Sequence, residues 1–264
     1  MNPILEELLD QPFAVCWLGN AGWLIRGQDH LIGIDLDLER ATRLHPAPVS
    51  SQDLAPVLDA LFVTHAHGDH FGEHTARVLA AQSSCAFVLP ATCLERAAAL
   101  GVPDSRIAVA RPRQPFDLRA ARGGAGAPTI HIEPQRALHG HTSFSVYRHA
   151  NLDDCGYVIT LDGLRFFHPG DSVLLQDHLE DLGQIYVLFV SPTLHNMHVA
   201  DSRTLVETLR PRFVFPQHFG TYQPTEQNSF WTLGYPDELR AALSPEMQAR
   251  FHRLEQGRVF RIPD

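Results

Sequence analysis

Short apolar runs punctuated by Gly, Pro, Asn and Asp recur along the chain, and this pattern predicts buried strands more often than long helices. Residues 3–10 have the spacing of a short amphipathic helix, closed by Gln11-Pro12. Strands follow at 14–18, 22–26 and 31–34, joined by Gly19-Asn20-Ala21 and a turn at 27–30, and together make a β-meander ending at Asp35. Pro46, Pro48 and Pro56 break up the next loop, which reads as a lid or rim. A helix at 53–59 leads into a strand at 61–64. Beyond it come a helix at 73–82, a strand at 86–89, and a helix capped by Thr92 that stops at Gly101. Such alternation predicts helices covering the edge of a largely parallel sheet.

The second half repeats the scheme. A low-complexity stretch at 119–128 reads as a flexible hairpin loop. Strands are predicted at 129–134, 144–147, 156–161 and 164–168, with Asp162-Gly163 as a hairpin turn. A strand at 185–190, a helix capped by Asp201-Ser202 and a strand at 212–216 follow. Helical sequence at 236–254, interrupted at Ser244-Pro245, precedes a last strand at 258–262. No repeat of 20–50 residues is present. The chain reads as two β-then-α halves within one domain spanning 1–264.

Composition adjusts this picture in three places. A net charge of −9 speaks against a nucleic-acid partner. The four cysteines form no CxxC pair and read as reduced core thiols, and residues 1–12 lack the basic start of a secretory signal. With no long apolar span, a cytoplasmic protein is expected. Histidine is the outlier: sixteen are present.

Those histidines carry the chemistry. The strand at 61–64 runs directly into His65, His67, Asp69 and His70, with Gly68 allowing a tight bend. Three imidazoles and a carboxylate on one strand-end loop are the ligands that divalent first-row metals take at neutral pH. Adjacent Asp69 and His70 do not easily face the same ion as His65 and His67, so two ions are expected. Further ligand-type residues stand at later strand ends: His139 and His141 in RALHGHTS, Asp171 in HPGDS, and His218 in FPQHFG. Asp171 is suited to a shared position, because a carboxylate can bridge two cations.

The ordered series HAHGDH, a distal His, HPGDS and PQHFGTY, preceded by WLGNAGWLIRG and LIGIDLD, resembles the metallo-β-lactamase superfamily. Within it the chain is most similar to the branch holding L-ascorbate-6-phosphate lactonase and N-acyl-phosphatidylethanolamine phospholipase D. That resemblance implies an α/β fold, a four-layered αββα sandwich of two mixed sheets packed face to face. It also implies that His65, His67 and His139 hold one metal and Asp69, His70 and His218 a second, with Asp171 bridging. His139 is preferred to His141 because the family's ligand follows a small-apolar pair like Ala137-Leu138. Asn20, Asp37 and Ser172 depart from the family pattern without touching an expected ligand. Asp35, His141, His168, Ser172 and Tyr222 are expected to brace the ligands or meet substrate. His195 and His198, in SPTLHNMHVAD, are candidates for substrate binding or acid help to a leaving group.

Two cations about 3.5–4 Å apart share a water and lower its pKa to near 7, so hydroxide forms at neutral pH. Asp69 then both ligates and orients. The expected reaction is hydrolysis of an ester, lactone, amide or phosphodiester bond in a small molecule. Zinc suits the His/Asp set, although manganese and iron accept the same ligands. The rival readings are an iron redox enzyme on the same scaffold, a ribonuclease Z-like phosphodiesterase and a non-catalytic binding protein. A homo-oligomer is the base-rate expectation for such an enzyme.

Overall fold

The computed structural model describes residues 1–119, 129–142, 145–180 and 182–263. Helix α1 (Pro3–Leu9) precedes strands β1 (Ala14–Gly19), β2 (Gly22–Arg26) and β3 (Leu31–Ile34). These form the antiparallel meander, with Trp17 opposite Trp23 and Trp23 opposite Ile34. Helix α2 (Ser51–Leu54), strand β4 (Ala60–Phe62), helix α3 (Glu73–Gln82), strand β5 (Ala86–Pro90), helix α4 (Leu94–Ala99) and strand β6 (Ile107–Ala110) follow. Strands β3, β4, β5 and β6 pair in parallel.

The second sheet begins with β7 (Phe116–Arg119) and β8 (Thr129–Arg136), followed by a small hairpin of β9 (Gly140–Thr142) and β10 (Ser145–Val146). It continues with β11 (Cys155–Leu161), β12 (Leu164–His168), helix α5 (Asp177–Glu180), β13 (Val187–Val190), helix α6 (His198–Leu209) and β14 (Phe213–Pro216). Its order is β14-β13-β12-β11-β8-β7. The chain closes with helices α7 (Ser229–Thr232), α8 (Pro236–Ala242) and α9 (Pro245–Ala249), and with β15 (Val259–Arg261) on β1.

The central strands of both sheets are buried on two faces, and alternation along each strand sorts side chains between layers. Val15, Trp17, Trp23, Ile34 and Phe62 face Ile132, Tyr157, Phe166, Phe189 and Phe215 between the sheets. Cys16, Leu18 and Leu61 turn the other way, onto Leu5, Leu54 and Leu79 of the first helices. Phe167, Leu188 and Val214 meet Leu205, Leu239 and Met247 on the far side. Three core seams separate four layers, the αββα sandwich.

Several boundaries differ from the sequence reading for local reasons. Helix α2 begins at Ser51, earlier than expected, because Ser50 and Asp53 form a reciprocal capping box. Thr92 caps no helix. Its hydroxyl donates to Asp154 across 2.5 Å, and a 3-10 turn at Ala91–Cys93 precedes α4. Helix α6 starts at His198, so Asp201 sits in its first turn and not at its cap. Strands β6 and β7 are additions to the expected set. The expected loop at 119–128 lies outside the described residues from 120 onward, as does Phe144 of the expected strand at 144–147.

Asp162 and Gly163 both have positive φ, as a two-residue hairpin between β11 and β12 requires. Strands β3 and β4 in one sheet, and β8, β12, β13 and β14 in the other, all point their C-terminal ends toward one edge of the sandwich. The loops that leave those ends build the site.

Candidate metal centre

Strand β4 is buried on both sides, so the loop after Phe62 starts from a fixed point. Thr64 is anchored at once: its N–H and hydroxyl donate to the two oxygens of Asp35 across 2.8 and 2.7 Å. The loops after β8, β12, β13 and β14 deliver His139, Asp171, His195 and His218. Donor atoms of His65, His67 and His139 lie within 4.8 Å of one another, as do those of Asp69, His70 and His218. Asp171 lies between them, grouping with His65 and His70 on one side and with His139 and His195 on the other.

Hydrogen-bond partners fix the tautomers, and the result is the strongest test of what the site can hold. His70 Nδ1 lies 2.7 Å from Asp35 Oδ2, so it must carry the proton and donate. His218 Nδ1 likewise faces the carbonyl of Trp231 at 2.9 Å, and His139 Nδ1 faces that of Gly140. His65 Nδ1 meets Thr64 Oγ1 at 3.0 Å, and that hydroxyl's own hydrogen goes to Asp35, so His65 donates too. In its neutral form each of these imidazoles therefore turns its N–H outward and a nitrogen lone pair inward. His70 Nε2 and His218 Nε2 stand 3.2 Å apart. His70 Nε2 is 3.3 Å, and His218 Nε2 3.1 Å, from the carboxylate of Asp171. Convergent imidazole nitrogens and carboxylates fit cations (carboxylate-to-histidine bonds behind metal ligands are the usual support).

Against the pull of burial, Asp171 and its neighbours draw positive charge into the cluster, holding His218 as well as His70 above the ordinary histidine value, and a bound cation would stand in for those protons. Burial pushes the Asp171 carboxyl up, yet His218, His70 and His195 hold it well below the carboxylate range. For His70 burial pulls down, but Asp171, Asp35 and Asp69 hold it well above the ordinary histidine value. His65 goes the other way, burial keeping it well below, and burial pulls His139 down to about 4.

Backbone strain marks the same place. Asn20, Asp35 and His218 have φ of 49°, 50° and 66°, in the left-handed region that side chains seldom adopt and that Asn, Asp and His enter more readily than most. His218 N–H donates to the Asn20 carbonyl at 2.9 Å, and the Asn20 amide donates to Asp69 Oδ2 at 3.1 Å. Gly140 is required sterically, since a Cβ there would fall 1.6 Å from the carbonyl oxygen of His195.

The other expected site residues are distributed unevenly. His168 donates from Nε2 to Ala21 and accepts the Gly170 N–H on Nδ1, each at 3.1 Å, which holds the turn before Asp171. Ser172 Oγ accepts the Leu138 N–H at 3.0 Å, tying the Asp171 loop to the His139 loop. His141 lies at the cavity mouth, stacked near Tyr147 and Phe230. His195 reaches the centre, with Nε2 2.7 Å from Asp171 Oδ2. His198 does not: its ring packs edge-on against Tyr235 at the start of α6. Tyr222 bonds Asp37 and packs on Trp231, outside the donor cluster.

The donors open onto a cavity of about 210 Å³ lined by His67, Asp69, His139, Asp171 and His195, with His141, Tyr147, Phe230 and Trp231 at its mouth. The proline-rich loop expected to form a rim borders a different cavity, beside Trp17 and Phe219. Tyr147, Phe230, Trp231 and Asn196 escaped sequence reasoning. The pair Phe230-Trp231 within the otherwise polar QNSFWT was the one available signal.

Two facing sheets with outer helices, and histidine and aspartate donors gathered at the strand ends, define the class of metallo-β-lactamase-fold proteins. Residues 21–219 match the family model described as the beta-lactamase superfamily domain, and the chain belongs to that superfamily, in its metallo-β-lactamase form. It is 30% identical over 221 residues to a UPF0173 metal-dependent hydrolase of Thermococcus kodakarensis, covering 81% of this chain and 88% of the relative. Among solved structures it is similar to Igni18, a metallo hydrolase of Ignicoccus hospitalis (TM-score 0.68, 18% identity, 95% and 99% of the two chains covered). It is also similar to CmlA, a diiron β-hydroxylase of Streptomyces venezuelae (TM-score 0.70, 15% identity, 96% of this chain and 54% of that one). Among the described residues no helix is long and apolar enough to cross a membrane.

Proposed function

We propose that this protein is a metal-dependent hydrolase of small, uncharged carboxyl derivatives: esters, lactones or amides. His65, His67 and His139 would hold one divalent ion and Asp69, His70 and His218 a second, with Asp171 shared. The observation that carries this reading is the set of inward-facing imidazole lone pairs at the strand ends. The relative's name, metal-dependent hydrolase, points the same way. Zinc suits these donors, and manganese or iron would also be accepted.

Bound ions would supply an activated water and a Lewis acid for the scissile oxygen. The chain's own residues do the rest. Asn20 holds the Asp69 carboxylate, and Asp35 holds His70 and the Thr64 turn, so the donor loop keeps its shape as substrate enters. The cavity volume, about 210 Å³, limits substrate size. Among the described residues that line it none is arginine or lysine, so an anionic group there would meet only the bound ions. Tyr147, Phe230 and Trp231 offer aromatic faces to a planar or apolar substituent. An uncharged carboxyl derivative fits this lining better than a phosphodiester.

The test is a substrate screen on protein stripped of metal and reloaded with zinc, manganese or iron. Hydrolysis of neutral aryl esters or lactones is expected to appear on reloading and to exceed phosphodiester cleavage. Asp69→Ala or His67→Ala should abolish turnover with an unchanged circular-dichroism spectrum. Full activity in metal-loaded Asp69→Ala would overturn the assignment, as would oxygen consumption by the iron form in place of hydrolysis.

A further inference from the structure

His195 differs from the other cavity histidines in being held from both sides. Its ring Nδ1 and its backbone N–H both point at the carbonyl of Phe230, at 3.3 and 3.2 Å. In the tautomer that donates from Nδ1 to this carbonyl, Nε2 keeps its lone pair. That nitrogen is buried 2.7 Å from Asp171 Oδ2, and His139 Nε2 lies 3.6 Å from the same oxygen. Three buried ligand-type atoms thus converge at one point, where a single ion could take all three.

Geometry permits the assignment. Donors at about 2.0–2.2 Å from one ion and at right angles to each other lie about 3 Å apart. Donor atoms of His139, Asp171 and His195 all fall within 4.8 Å of one another. The Asn196 amide donates to the other oxygen, Asp171 Oδ1, at 2.9 Å, which turns Oδ2 toward His195. The close approach of Gly140 to the His195 carbonyl fixes the two loops against each other.

We infer that His195 is a further metal ligand, joining the ion held by His65, His67, His139 and Asp171. This rests on the dinuclear reading above and extends it. The ion then has five protein donors, and tetrahedral zinc uses four in structural sites and three with a water in catalytic ones. The extra imidazole thus favours ions that take five or six ligands, such as manganese or iron, at this position.

The experiment counts ligands directly. Wild-type protein labelled with ¹⁵N-histidine and loaded with ¹¹³Cd should show one-bond cadmium coupling at six imidazoles: His65, His67, His70, His139, His195 and His218. Coupling at the other five with none at His195 overturns the inference while leaving the metal centre standing. No coupling at any histidine removes both. In parallel, His195→Gln, which keeps a donor for Asp171 but no imidazole, is expected to weaken one of two cobalt sites at least tenfold. Its visible cobalt bands should also change, whereas His198→Ala, outside the donor cluster, should retain the wild-type bands. Cobalt affinity and spectrum within twofold of wild type in His195→Gln would show that His195 merely hydrogen-bonds Asp171.

Discussion

Asp35 and Asp37 stand two residues apart at the end of β3, both buried, and they do opposite jobs. Asp35 turns into the donor cluster, where its carboxylate takes bonds from Thr64 N–H, Thr64 Oγ1 and His70 Nδ1. Asp37 turns away and takes bonds from Arg40 and from the Tyr222 hydroxyl, the latter at 2.9 Å. Tyr222 in turn packs on Trp231 at the cavity mouth, 5.5 Å between ring centroids. One carboxylate braces the donors and its neighbour braces the rim. The difference is that a buried carboxylate takes its role from which donors meet it, and the left-handed backbone at Asp35 (φ 50°) ends the strand, so side chains two positions apart no longer share a face.

Removing the carboxylate that serves the donors gives the largest expected effect. In Asp35→Asn, His70 loses the charged partner that fixes its tautomer, and the Thr64 turn loses half its anchor. Metal affinity is expected to fall on the order of 10–100-fold, with activity falling alongside, while the fold survives. Metal content after dialysis against a weak chelator, with circular dichroism as control, measures this. Unchanged metal content would erase the distinction between the two residues. Asp37→Asn comes second. Metal content should stay at wild-type level, but the hydrogen bonds from Arg40 and Tyr222 meet an amide in place of the acid, at a cost of about 1–3 kcal/mol of stability. Urea unfolding reads that cost, and loss of metal in this variant would show that the rim and the donors are one network.

How much of this the sequence disclosed depends on whether a residue's partners are near it in the chain. HAHGDH is legible because four ligand-type side chains share one loop, and the fold follows because β/α alternation is a local pattern. Asp35 could be read as a brace from its place at a strand end. Asp37 has a local partner in Arg40, but its link to the cavity mouth could not be read, because it runs through Tyr222, 185 positions away. Tyr147, Phe230 and Trp231 are ordinary aromatic residues until tertiary packing sets them around one cavity. His195 and His198 looked alike in SPTLHNMH, and the start of α6 separates them: one precedes the helix and enters the centre, the other begins it and faces Tyr235. Spacing alone cannot locate that helix start, since Met197 caps it without a side-chain bond.

The smallest effect concerns the balance of forces on Asp37. Burial pushes its carboxyl above the ordinary value, against the pull of Arg40 and Tyr222. Between the ordinary value near 3.9 and the raised one, the folded chain holds a proton that the unfolded chain has released. Stability from this group is therefore full below the ordinary value and is given up as pH rises through the raised one. Asparagine does not titrate, so the penalty for Asp37→Asn should be larger at pH 4 than at pH 7. The buried histidines His168 and His178, which burial holds below their ordinary value, destabilise both proteins in acid and cancel in the difference. Paired urea unfolding curves across that range test the sign. A penalty that grows with pH would mean that Arg40, and not burial, governs Asp37, making the rim carboxylate an ion-pair partner held below its ordinary value.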